Sequence, residues 1–205
     1  MGASLLITFR ETFEASLVIS VILAYLHRTN NMDKDRIVWS GVAAGIFLSM
    51  VFAFGLNQWM DQLDEEAHEI VETVIMLVAA GLILWTVAWM TKAGKSMRGH
   101  IEAKIQTHLS SAAMTGLFSL ALLTVLREGA ETVIFLTAAW SGIQSMGQSS
   151  GAVLGIVLAI IVGFALFQGM MKWFSIKWFF RLTSIFLFLF ALHLAWEALE
   201  ELIVG

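Results

Sequence analysis

Apolar positions along this chain gather into six long runs, roughly 3–26, 37–59, 70–91, 113–139, 152–171 and 174–197, with short polar stretches between them. A helix crossing a bilayer needs about 20 mainly apolar residues, and each run meets that length. None contains proline. Runs of this length read as helices, because hydrocarbon offers no partner for the backbone of an open sheet. The pattern therefore predicts an all-α polytopic transmembrane bundle of six spans. It forms a single membrane domain over 1–205, with no low-complexity linker and no soluble domain. A less apolar stretch, 98–112, carries Arg98, His100, Glu102, Lys104 and His108, and is expected to be an interfacial helix leading into the fourth span.

The polar stretches orient the spans. Arg28, Lys34 and Arg36 lie between spans one and two; Lys92, Lys95, Arg98 and Lys104 between three and four; Lys172, Lys177 and Arg181 between five and six. The other two connections, 60–69 and 140–151, hold no Lys or Arg. Of the 12 basic residues, all but Arg10 and Arg127 thus fall in alternate loops. Basic loops stay on the cytoplasmic side, so both termini are expected outside.

The two exceptions mark the chemistry. Arg10-Glu11-Thr12-Phe13-Glu14 lies in the first span and Arg127-Glu128-Gly129-Ala130-Glu131 in the fourth. A charge at the centre of a span costs about 3 kcal/mol or more unless it pairs or faces a polar path. Spans two and five also share a pattern, opening with Gly41-x-x-x-Gly45 and Gly151-x-x-x-Gly155, a spacing that lets helix backbones approach closely. Glycines at this spacing also arise by chance. With the duplicated charged motif they point to two three-span repeats, 1–95 and 105–205. An odd number of spans per repeat inverts the second, the arrangement of many transporters with a site at the repeat interface near mid-membrane.

Composition agrees with a membrane setting. The chain is 59% hydrophobic and 14% charged, well under the roughly 25% charge of soluble domains. A net charge of −4 leaves no footprint for nucleic acid, and zero cysteines exclude thiolate metal sites, disulfides and thiol catalysis. The N-terminus has neither the basic start nor the small-residue cleavage site of a removed signal peptide, so the first helix is expected to be retained.

On a helix, positions i, i+3 and i+4 share a face. Each motif then presents two carboxylates on adjoining turns, Glu11 and Glu14 or Glu128 and Glu131, with Arg10 or Arg127 able to pair with the second. A purely structural ion pair needs one acid and one base; here acid is in excess twice over. If the two faces meet, four carboxylates gather, and their oxygens suit a hard multivalent cation.

These two R-E-x-x-E motifs resemble the iron permease family of oxidase-dependent iron transporters, which includes fungal high-affinity iron permeases and bacterial iron uptake permeases. The second motif is similar to the family's R-E-G-L-E; the first departs at Thr12 and Phe13. The run Phe179-Phe180-Arg181-Leu182-Thr183 and the stretch from His193 to Glu201 resemble the family's sixth span. The resemblance implies that Glu11, Glu14, Glu128 and Glu131 bind iron in transit and that Arg10 and Arg127 hold them in place. It also implies that iron is passed on as ferric ion after oxidation by a partner protein, and that the partner is an extracytoplasmic ferroxidase or an iron-delivery protein. No resident cofactor is implied, and the default membrane is the bacterial inner membrane. Family members usually carry a seventh span, so a chain ending after its sixth is expected to be a short member or a truncated one.

Secondary acids cluster at the start of the third span, Asp61, Asp64, Glu65, Glu66, Glu69 and Glu72, with His68 among them. Glu65, Glu69 and Glu72 share one helical face and with His68 could form an acidic mouth that concentrates cations. The plainer reading is a solvated loop whose acids meet a helix N-terminus. Glu197, Glu200 and Glu201 end the sixth span on the same side, either joining that mouth or meeting water, and His193 inside it reads more simply as packing than as a ligand. Trp39, Trp59, Trp89, Trp140, Trp173 and Trp178 fall near span ends, as interfacial aromatics do.

Three alternatives remain at this point. One is a permease for another cation such as manganese or lead, which carboxylates alone do not separate from iron. Another is a membrane-embedded metalloenzyme, disfavoured by the lack of H-E-x-x-H, paired E-x-x-H or a nucleophile constellation. The last is a structural or assembly subunit, in which Glu11 or Glu128 could be replaced by Gln without loss of metal uptake.

Overall fold

A computed structural model describes residues 1–93, 113–142, 148–167 and 176–204. Among these residues every regular element is helical. The six helices are α1 (Gly2–Arg28), α2 (Asp35–Met60), α3 (Glu65–Ala93), α4 (Ala113–Gly142), α5 (Gln148–Phe167) and α6 (Ile176–Val204). Each apolar run has its helix, and most helices extend a few residues into the flanking polar stretches, where water can satisfy the last backbone groups. The interfacial helix expected at 98–112 lies outside the described residues.

The connections that are described show local causes. α1 stops where Asn30 takes a left-handed conformation (φ 54°), and the Asn31 N–H donates to the Leu26 carbonyl at 2.9 Å. This is the hydrogen bond of a Schellman cap, with asparagine in the place glycine usually takes. A 3-10 turn, Met32–Lys34, leads into α2, and His27 Nε2 lies 2.8 Å from Asp35 Oδ2 across the turn. At the next connection Asp64 Oδ1 accepts from the Ala67 N–H at 2.9 Å and caps the start of α3.

Packing pairs the helices across the two halves of the chain. α1 lies along α5, α2 along α4 and α3 along α6, while α4 also touches α1 and α3. The glycine patterns make the first two pairings. A Cβ at Gly41 would stand 2.6 Å from the Phe118 carbonyl oxygen, and one at Gly45 2.8 Å from Val125 Cβ, both on α4. On α5, a Cβ at Gly151 would strike the Met1 carbonyl, and one at Gly155 the Thr8 hydroxyl and the Leu5 carbonyl. With the backbones this close, Thr8 Oγ1 donates to the Ala152 carbonyl at 3.0 Å. Each Gly-x-x-x-Gly helix therefore packs against the motif-bearing helix of the other half.

Two apolar clusters flank the middle of the bundle. One joins Ile7 of α1 to Ile83 of α3, Phe135 of α4 and Leu194 of α6; the other joins Ile22 and Leu26 of α1 to Val38 of α2 and Leu117 of α4. Along both α1 and α4 the charged motif falls between the two clusters, so the polar layer sits between apolar ones. Large side chains point outward from α2, α5 and α6, among them Phe47, Phe54, Ile160, Phe164, Leu189 and Trp196. In water such a surface would aggregate; against lipid tails it is the expected outer face. Among the described residues three stretches, Met32–Met60, Glu65–Ala88 and Phe180–Ile203, are long and apolar enough to cross a membrane, and Ser149–Ala165 is a shorter apolar helix. α1 and α4 each carry three motif charges within their apolar runs.

Candidate metal centre

The site is built where α1 meets α4. Glu11 is fully buried and Glu128 is 7% exposed. Carboxylate oxygens of Glu11, Glu128 and Glu131 lie within 4.8 Å of one another. One oxygen from each motif's first glutamate and one from the second motif's last glutamate could thus hold a single ion. Glu11 Oε2, Glu128 Oε2 and Glu131 Oε2 are buried and find no donor among the described residues. A buried carboxylate oxygen without a donor is costly, and a bound cation removes that cost.

The arginines are placed differently in the two motifs. Arg10 is 1% exposed and grips both acids of its motif, Nη1 on Glu11 Oε1 and Nη2 on Glu14 Oε1, the latter at 2.7 Å. A planar guanidinium is suited to this because its donors diverge as a fork. Arg127 donates Nε to Glu131 Oε1 at 2.8 Å, one turn along α4, and its side chain is 52% exposed. The pairing expected from spacing, arginine to the second glutamate, is present in both motifs; the added Arg10–Glu11 contact is not visible in an i, i+4 count. Four carboxylates against two guanidiniums leave a formal surplus of two negative charges.

Glu14 does not belong to the trio of close oxygens. The fourfold carboxylate cluster expected from the sequence is therefore three close acids plus a fourth engaged by Arg10. Gly129, inside the second motif, has its own reason. A Cβ there would strike the Ser49 side chain, whose hydroxyl bonds the Gly45 carbonyl at 2.9 Å, so α2 comes too close for any larger residue.

The other acids named from the sequence sit elsewhere. Glu65 and Glu69 are exposed in the first turns of α3, and Glu72 is partly buried one turn further in. None of them joins the trio. His68 Nδ1 lies 3.2 Å from the Met60 carbonyl, tying the turn between α2 and α3. A contact missed by the sequence reading links α3 to α6. Thr73 Oγ1 donates to Glu201 Oε2 at 2.8 Å, so Glu201 does not simply end its helix in water. The two residues lie 128 apart in sequence, and no local pattern marks the pair. His193 lies 3.7 Å from Glu197, one turn away on α6, with its side chain 49% exposed.

The sequence model of the Iron permease FTR1 family matches residues 1–201. Ferrous iron permease EfeU of Yersinia pestis is 36% identical over 202 residues, 98% of this chain and 71% of that protein. The protein of the same name from Yersinia pseudotuberculosis is 36% identical over 197 residues, 95% of this chain and 69% of its own. An Escherichia coli ferrous iron permease EfeU is 29% identical over 202 residues, 98% of this chain and 73% of its own. No solved structure matches the chain.

Proposed function

This chain belongs to the iron permease FTR1 family, a family of membrane transporters and not of enzymes, and from that premise we propose that it passes iron between the carboxylates of its two R-E-x-x-E motifs. The observation that carries the reading is the convergence of Glu11, Glu128 and Glu131, from motifs more than a hundred residues apart, into one largely buried trio with unfilled oxygens. Glu14 completes the ligand set when Arg10 shares its hold, and Arg10 and Arg127 keep the acids in place when no ion is present. Glu65, Glu69, Glu72 and His68 form an acidic mouth where the ion arrives.

Six spans in two inverted repeats, 1–95 and 105–205, underlie the path, with the N-terminus outside and the membrane a bacterial inner membrane. What supports the repeats is the exchange of partners: α1 with α5 mirrors α2 with α4, and each pairing rests on the same glycine spacing. A donor set made only of carboxylate oxygens favours the harder ferric ion at the site, with an outer-face ferroxidase or delivery partner supplying it. The relatives compared above are named for ferrous iron. Ferrous uptake in the absence of any oxidase would remove the need for that partner.

The test is iron uptake into proteoliposomes by the wild type, Glu11→Gln and Glu128→Gln, with ferrous and ferric iron offered separately. Loss of uptake in both variants at normal membrane levels is the expected result. Normal uptake by Glu128→Gln overturns the reading.

A further inference from the structure

The two arginines occupy equivalent places in their motifs but not equivalent surroundings. Arg10 is sealed, whereas Arg127 is half exposed. Arg127 stands near the middle of α4, 14 residues after Ala113 and 15 before Gly142. At 1.5 Å per residue it is about 21 Å or more from either end of the helix. A side chain that deep cannot reach the headgroups by stretching toward them, and an open guanidinium facing lipid at mid-depth is strongly disfavoured. The surface it faces is therefore either water or further protein.

Exposure along α4 marks the route by which water would reach it. Thr115, Leu123 and Arg127 are exposed and Ser119 between them is partly buried, four-residue steps along one stripe from the start of the helix to the motif. Beyond Arg127 no residue of α4 is exposed again until Trp140. The same stripe on α1 closes before its motif: Gly2 is exposed, but Leu6, four residues before Arg10, is partly buried where Leu123 is exposed, and Arg10 is covered. Resting on the permease reading above, we propose that an aqueous crevice runs along this stripe of α4 to the carboxylate trio. It opens on the membrane face that carries Arg28, Lys34 and Arg36, while the Arg10 side is shut. Arg127 then acts as a positioning residue at the inner end of the crevice, holding Glu131 toward the trio until an ion replaces its guanidinium.

The chain has no cysteine, so single cysteines can be placed without background. Ser119→Cys and Leu123→Cys are to be labelled with a membrane-impermeant methanethiosulfonate in right-side-out and inside-out vesicles, with Leu6→Cys as the counterpart on α1. The crevice predicts labelling of both α4 variants from the face bearing Arg28, Lys34 and Arg36, and none of Leu6→Cys from either face. Labelling of the α4 variants from neither face means that lipid or a second copy covers the stripe and overturns the proposal. Labelling from the opposite face overturns it as well. Ser119→Cys changes a single atom, so it carries the test if Leu123→Cys fails to reach the membrane. Labelling requires no transport. Lost uptake in Glu128→Gln beside unlabelled cysteines would leave the permease standing and remove only the crevice.

Discussion

Arg10 and Arg127 share a motif position, yet the physics of their surroundings predicts different consequences of replacing them. Arg10 pairs at once with the buried Glu11 and the partly buried Glu14. Arg10→Lys keeps one charge but loses the planar fork that reaches Glu11 and Glu14 together. Breaking a buried pair costs about 3–5 kcal/mol, so Arg10→Lys should lower thermal stability in detergent and membrane level together. Arg127 is half exposed and serves one acid. Exposed pairs are worth about 1 kcal/mol or less, so Arg127→Lys should leave stability nearly intact and act on iron uptake instead. Thermal unfolding and uptake measured on both variants separate the two effects; equal destabilisation by both would show that the asymmetry of burial has no energetic meaning.

Among the elements, the helix pairs stand or fall with their glycines. Gly155 of α5 meets the Thr8 hydroxyl and α1 backbone, and Gly45 of α2 meets α4. A larger residue at either position must push whole helices apart, because the groups in the way include backbone and not only flexible side chains. Overpacking of this kind costs about 1–3 kcal/mol. Gly45→Val and Gly155→Val should therefore each lower the unfolding temperature, and each should also weaken iron uptake by moving a motif-bearing helix relative to its partner. Gly81 offers a control: a Cβ there meets nothing within 4 Å, so Gly81→Ala should be neutral or slightly stabilising in the same assays.

For the molecule as a whole, the buried trio is an electrostatic load that the apo protein carries and that a cation relieves. Ligand that binds only the folded state stabilises it by about 2.7 kcal/mol at a hundredfold excess over its dissociation constant. Iron should thus raise the unfolding temperature of the wild type, and the rise should vanish in Glu11→Gln and Glu128→Gln. A rise that persists in both variants would place the stabilising ion elsewhere, for instance among the acids that begin α3.

The apolar runs, the charged loops and the two charged motifs are properties of consecutive residues, so they were legible without coordinates. Bilayer thickness sets the length of a run, and a charge inside it is conspicuous because lipid makes it costly. That is why six helices, and Glu11, Glu14, Glu128 and Glu131 as the residues of interest, follow from the linear chain. The paired glycines were legible as a pattern but not as a pairing. That α2 would meet α4 and α5 would meet α1 depends on the shape of both surfaces at once. Three acids drawing together while Glu14 turns to Arg10 is likewise a tertiary outcome, since i, i+3 and i, i+4 spacing treats both motifs alike. So are the burial of one arginine and the exposure of the other, and the Thr73–Glu201 bond between α3 and α6. Burial and long-range contact are set by which helices pack side by side, and a one-dimensional pattern of polarity carries no record of that.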